Sequence, residues 1–93
     1  MLIELTVAGA LIANDPIATV EGGGDKIELY EQRGEICPEG FKSARYYVNR
    51  ASVVFGCYVI DGKDVLLYWA DGDRGKAGID RFTWVKGKRP ATL

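Results

Sequence analysis

Two β-rich runs joined by an Asp-Gly turn signal constrain this chain more than any other feature. Val53-Val54-Phe55-Gly56-Cys57-Tyr58-Val59-Ile60 and Val65-Leu66-Leu67-Tyr68-Trp69-Ala70 flank Asp61-Gly62-Lys63-Asp64. Asp-Gly between such runs is the strongest short-range signal of a β-hairpin, because glycine supplies the positive φ that a tight hairpin turn requires. A two-residue and a four-residue turn give the same pairing parity. One face therefore carries Val54, Gly56, Tyr58, Ile60, Val65, Leu67 and Trp69, and the other Val53, Phe55, Cys57, Val59, Leu66 and Tyr68. A hairpin with one wet side alternates apolar and polar residues. Here both sides are apolar, so the hairpin 53–60/65–70 is expected to be central, wrapped in a barrel or covered by another layer.

The remaining elements fit around it. Residues 26–31 (KIELYE) alternate as a strand. Ile17 to Val20 and Leu2 to Val7 read as strands on either side of the Asn14-Asp15-Pro16 turn, with a short helix over 2–13 as the alternative. Over 41–50, Phe41, Ala44, Arg45 and Val48 have helical spacing. Arg45-Tyr46-Tyr47-Val48 is nevertheless strand-like, and the strand is the preferred reading. Residues 79–85 close the fold. Gly22-Gly23-Gly24 forms a hinge or a wide hairpin loop, since three consecutive glycines do not sit inside a helix. Roughly five to seven short strands without a long amphipathic helix indicate a mainly β protein, a small antiparallel β-barrel or curled sheet.

The 93 residues suit a single domain spanning 1–93. A chain this short buries only roughly two-thirds of its unfolded surface, so its core is thin. The net charge of −1 hides an asymmetry. Residues 1–42 hold eight acidic and three basic groups, and residues 43–93 hold five acidic and nine basic. Either the halves pair internally or the domain has two faces of opposite sign. Neither half carries the excess expected of a nucleic-acid mimic or a duplex-DNA binder. The apolar N-terminal strip lacks a basic leader, contains Glu4 and is too short to span a bilayer. The expectation is a cytoplasmic protein without a membrane span, and a signal removed ahead of this sequence is left open.

Catalytic and metal chemistry finds little support in the residues. With no histidine, neither a Cys-His dyad nor a zinc tetrad can be built from Cys37 and Cys57. These cysteines are instead candidates for a disulfide, which the thin core favours and a cytosolic setting disfavours. Asp71-Gly72-Asp73-Arg74-Gly75-Lys76 opens like a calcium loop, yet Lys76 stands where the mid-loop glycine belongs and Phe82 where the closing glutamate belongs. It also lacks the phosphate-loop spacing, since Ala77 follows Lys76. The stretch is expected to be a turn that carries Asp71, Asp73 and Arg74 to solvent. No cofactor is implied, and a non-enzyme is the expectation.

Binding fits better. Tyr46, Tyr47, Phe55, Tyr58, Tyr68, Trp69, Phe82 and Trp84 lie in the basic half, interleaved with Arg45, Arg50, Lys63, Arg74, Arg81 and Lys86. Tyr, Trp and Arg are the currency of protein-binding hot spots and equally of stacking platforms for single strands. The residues assigned to partner contact are Arg45, Tyr46, Tyr47, Arg50, Tyr68, Trp69, Asp71, Asp73 and Arg74.

Cys37-Pro38, Ala44-Arg45-Tyr46, Gly56-Cys57-Tyr58, Gly62, Val65, Trp69-Ala70-Asp71-Gly72-Asp73 and Phe82 together carry a resemblance. Over residues 37–82 the chain resembles short, mostly uncharacterised proteins of bacteriophages and proteobacterial prophages. In these, Cys-Pro, Gly-Cys-Trp or Gly-Cys-Tyr, and Trp-x-Asp-Gly-Asp recur over β-hairpins, and Tyr58 stands here where Trp is commoner. The resemblance implies a small accessory protein that binds and inhibits a host defence or regulatory protein in the bacterial cytoplasm. Two alternatives stand beside it. One is a single-stranded nucleic-acid-binding barrel that stacks bases on Tyr46, Tyr47 and Trp69. The other is a periplasmic inhibitor, such as of lysozyme, closed by a disulfide. The N-terminal strip either packs on the barrel or mediates a homodimer.

Overall fold

A computed structural model describes residues 15–34, 36–49 and 51–91. The strand expected over Leu2 to Val7 and its helical alternative over 2–13 lie outside these residues. The described chain forms one seven-stranded antiparallel sheet that curls into a half-barrel. Its strands are β1 (Ala18–Gly22), β2 (Asp25–Leu29), β3 (Lys42–Val48), β4 (Ser52–Asp61), β5 (Asp64–Trp69), β6 (Arg74–Gly78) and β7 (Thr83–Trp84). Their spatial order is β6-β5-β4-β3-β2-β1-β7.

The central hairpin follows the parity of its sequence. Ile60 pairs with Val65, Tyr58 with Leu67 and Gly56 with Trp69, around a turn in which Gly62 takes a φ of 63°. The three glycines form no hinge. Gly22 pairs with Asp25, and Gly23 and Gly24 make a two-residue turn with φ of 59° and 90°. Positive φ at both positions twists the backbone in the sense that two antiparallel strands need. Among the described residues 41–49 there is a strand and no helix. Tyr46 and Val54 pair on the inner side and Arg45 and Phe55 on the outer, so β-branched and aromatic residues win over the helical spacing.

One segment differs from expectation. Only residues 70–73 are turn, and Arg74 already opens β6. The Arg-Gly-Lys-Ala-Gly composition of that strand has no β signature of its own, and its pairing with β5 imposes it. Residues 79–85 close the fold in two pieces. Ile79–Arg81 is a turn of 3-10 helix that carries the chain across one end of the half-barrel, and only Thr83 and Trp84 pair, with Thr19 and Ala18.

The core fills the concave side. Ala18, Leu29, Ala44, Tyr58, Val65, Leu67, Trp69, Ile79 and Phe82 form one buried cluster. Every strand member of it lies on the same face of the curled sheet. The crossing segment caps this cluster with Ile79 and Phe82, and the Trp84 indole N–H donates to the Ile79 carbonyl at 2.9 Å. Among the described residues no helix is long and apolar enough to cross a membrane.

Candidate functional site

The convex face is only half covered. The sequence predicts a second layer over Val53, Phe55, Cys57, Val59, Leu66 and Tyr68, and the described residues supply only the loop 36–41. Cys37 and Cys57 are joined in a disulfide with a Cα–Cα separation of 5.6 Å, which fastens that loop to β4. Phe41 then meets the Tyr68 ring edge-on at 5.7 Å between centroids. Ile36, Pro38, Phe41, Tyr68 and Ala70 border a cleft of about 420 Å³ beside the bridge. Among the described residues, Phe55 49%, Val53 40% and Tyr68 38% stay exposed on this face, and Ile36 in the loop is 62% exposed.

A charged cluster adjoins this apolar strip. Strand alternation puts Glu28, Arg45, Tyr47 and Phe55 on the outer side of three neighbouring strands. The Arg45 guanidinium lies 4.9 Å from the Tyr30 ring centroid and 5.6 Å from that of Phe55, held between two aromatic faces. The Tyr30 hydroxyl donates to Glu28, and Lys26 pairs with the same carboxylate at 3.2 Å. Burial alone raises the Glu28 carboxyl, but hydrogen bonds from Tyr30 and Lys26, then the Lys26 charge, bring it below the usual carboxylate range. Burial, followed by this carboxylate, pushes the Tyr30 hydroxyl well above an ordinary phenol. The Glu28 carboxyl is thus held in its ionised form at neutral pH.

The concave side holds different residues. Tyr46 and Trp69 sit there with centroids 5.5 Å apart. The indole lies flat on Gly56, where a Cβ would meet Trp69 Cε3 at 2.4 Å and the Tyr68 carbonyl at 2.6 Å. Only glycine lets the ring approach so closely. The Tyr46 hydroxyl donates to Asp25 at 2.9 Å, and the Asn49 N–H donates to the other carboxylate oxygen at 3.0 Å. One aspartate thereby ties the β1–β2 hairpin to the β3–β4 turn. The opposite end is fixed by the Tyr58 hydroxyl, which donates to the Tyr30 carbonyl at 2.9 Å, and burial followed by the Glu31 charge pushes that phenol up to about 12.

Sequence reasoning assigned nine residues to partner contact, and the structure divides them. Arg45, Tyr47 and Tyr68 are on the convex face, Tyr46 and Trp69 on the concave one. Asp71 and Asp73 lie in the β5–β6 turn, where the Asp73 N–H donates to the Asp71 carboxylate at 3.0 Å and Gly72 has a φ of 99°. Arg74 stands at the rim of a groove between β6 and the β1–β2 hairpin, and Arg50 lies outside the described residues. No group of three or more potential metal ligands comes together among the described residues. The residues missed are Ile36, Phe41 and Phe55 outside, and Lys76 and Arg81 at the groove. Phe55 was legible, because it shares the parity of Tyr68.

In these contacts the charge asymmetry resolves as pairing between the halves. Lys88 pairs with Glu31 at 2.9 Å across the halves, while Glu21 and Asp25 face Arg74, Lys76 and Arg81 across the groove. Comparisons with protein-family models, curated proteins and solved structures match nothing to the chain.

Proposed function

We propose that the chain is a non-enzymatic binding module, a phage-type accessory protein that docks on a host protein and blocks it. The docking surface is the convex strip of Phe55, Tyr68, Val53 and Ile36 with Arg45 at its side. The carrying observation is this strip of large apolar side chains, exposed side by side on a rigid sheet next to an arginine already stacked between two rings. Contiguous apolar surface marks interaction sites, and pre-ordered Tyr, Phe and Arg lose little entropy on binding. The surface fits a partner that presents an apolar anchor with a carboxylate at its rim.

The disulfide supports the periplasmic version of this reading, since such bridges persist in oxidising compartments. The nucleic-acid reading loses its platform. Tyr47 projects from the face opposite Tyr46 and Trp69, so the three rings do not stack successive bases on one surface.

The test is co-purification from host extract, followed by titration of the recovered protein against the purified chain. A stoichiometric complex that Phe55→Glu and Tyr68→Glu each weaken by about tenfold or more, with unchanged melting temperature, is the expected outcome. A recovered protein that binds both variants as well as the parent chain would sink the proposal.

A further inference from the structure

We propose that the edge of β6, which no described strand covers, is a second binding site, one that takes an extended segment of another protein as an added strand with apolar and acidic residues alternating. It is separate from the convex strip and does not depend on it. Residue pairing fixes which backbone groups are available. The N–H of Trp69 donates to the carbonyl of Asp73 and the N–H of Ile79 to that of Lys63, at 2.8 Å in both cases, so the odd-numbered residues of this ladder face β5. Arg74, Lys76 and Gly78 therefore turn their N–H and C=O groups outward. Since β6 ends the sheet, no described strand receives them.

Space and side-chain chemistry define the guest. A groove of about 480 Å³ runs alongside this edge, floored by Tyr46, Leu67 and Trp69. The two inward positions of β6 are Gly75 and Ala77, and a Cβ at Gly75 would lie 3.9 Å from the Trp69 indole nitrogen. Small residues leave room over the floor for large apolar side chains on every second guest residue. The outward positions are Arg74 and Lys76, which stand directly beside the intervening guest residues and favour carboxylates there. The groove itself carries charges of both signs, Glu21, Asp25 and Asp73 against Lys26, Arg74, Lys76 and Arg81, so the phase of the alternation is set by its apolar floor and by the two cations beside the strand edge. A second copy of this chain is a poor guest, because edge-to-edge pairing would set Arg74 and Lys76 against their own like charges. The cations beside the edge favour strand addition by a different, acidic segment, with backbone bonds giving affinity and alternate side chains giving selection.

The probe is a fluorescein-labelled peptide of seven residues, with Val or Leu at alternate positions and Glu between, titrated by anisotropy against the full chain. A version with Lys in place of Glu and a version N-methylated at the paired amides serve as controls. The acidic peptide is expected to bind at least about tenfold more tightly than either control, and the margin over the lysine version is expected to shrink as salt rises. Lys76→Pro removes one outward N–H and is expected to cut binding by a similar factor without lowering the melting temperature, since proline is tolerated where an edge amide faces solvent. Arg74→Glu combined with Lys76→Glu is expected to reverse the preference toward the lysine peptide. Equal binding of all three peptides would overturn the proposal. So would a large loss of stability in Lys76→Pro, which would mean that the edge is already occupied within the chain.

Discussion

In the central hairpin the two faces of the sheet are both apolar, yet one is buried and the other largely exposed. On the concave face, Trp69, Tyr46, Leu67 and Tyr58 interdigitate around glycine and alanine at Gly56 and Ala44, and each polar tip on that face that is tied down finds a partner within the fold. On the convex face, Phe55 and Tyr68 share the hydrophobicity of the residues beneath them but meet only the loop 36–41 and Arg45. Within this hairpin hydrophobicity therefore does not distinguish the buried side from the exposed one. Curvature does, because the sheet closes around one of its faces and splays the other.

The comparison can be broken in several places, in order of expected effect. The disulfide is where the convex face contributes most to stability. Replacing both Cys37 and Cys57 by serine is expected to cost about 3 kcal/mol, as for a closed loop of this size, measured by urea denaturation. If the cost is close to zero, the loop 36–41 is held by Phe41 alone. Next is Gly56→Ala, whose new methyl runs into Trp69 and the Tyr68 carbonyl. A loss of about 1–3 kcal/mol with a shifted tryptophan emission is expected, and an unchanged spectrum would show that the indole does not rest on β4. Tyr58→Phe leaves the Tyr30 carbonyl without its donor and should cost about 1–2 kcal/mol.

Smaller effects belong to the convex face. The folded pKa of Glu28 lies below its unfolded value, so its contribution is complete above the ordinary carboxylate range and is lost as pH falls through and below it. Glu28→Gln should flatten that part of the stability–pH curve, and an unaltered slope would place the acid sensitivity elsewhere. Phe55→Ser should change stability by no more than about 0.5 kcal/mol, the mark of a side chain kept for contact and not for folding. A loss several times larger would make Phe55 part of the core.

How much of this was legible in the sequence follows from the same contrast. The hairpin 53–60/65–70 was readable because two-residue periodicity and a glycine turn are local signals, and its parity sorts every side chain correctly. Arg74–Gly78 was unreadable as a strand because nothing in its own residues favours extension, and β5 dictates it from outside. Which apolar face becomes the core is likewise not local. It depends on the sense in which the whole sheet curls and on Ile79 and Phe82 arriving from the far end of the chain. The residues assigned to partner contact were therefore chosen largely by type, as Tyr, Trp and Arg, and the structure distributes them over both faces.

The strand order carries one more consequence. From β1 to β6 each strand lies beside its successor, so this part of the sheet can assemble hairpin by hairpin as the chain lengthens, with little loop entropy lost at any step. Only β7 leaps across to β1, and it holds there by the short pairing of Thr83 and Trp84 and by the Val85 N–H, which donates to the Ile17 carbonyl at 2.9 Å. That clasp is the shortest in the described sheet and would open first, like the last tooth of a zipper, while the meander behind it still holds. Amide exchange at Thr83 and Trp84 should accordingly outrun that in β4 and β5.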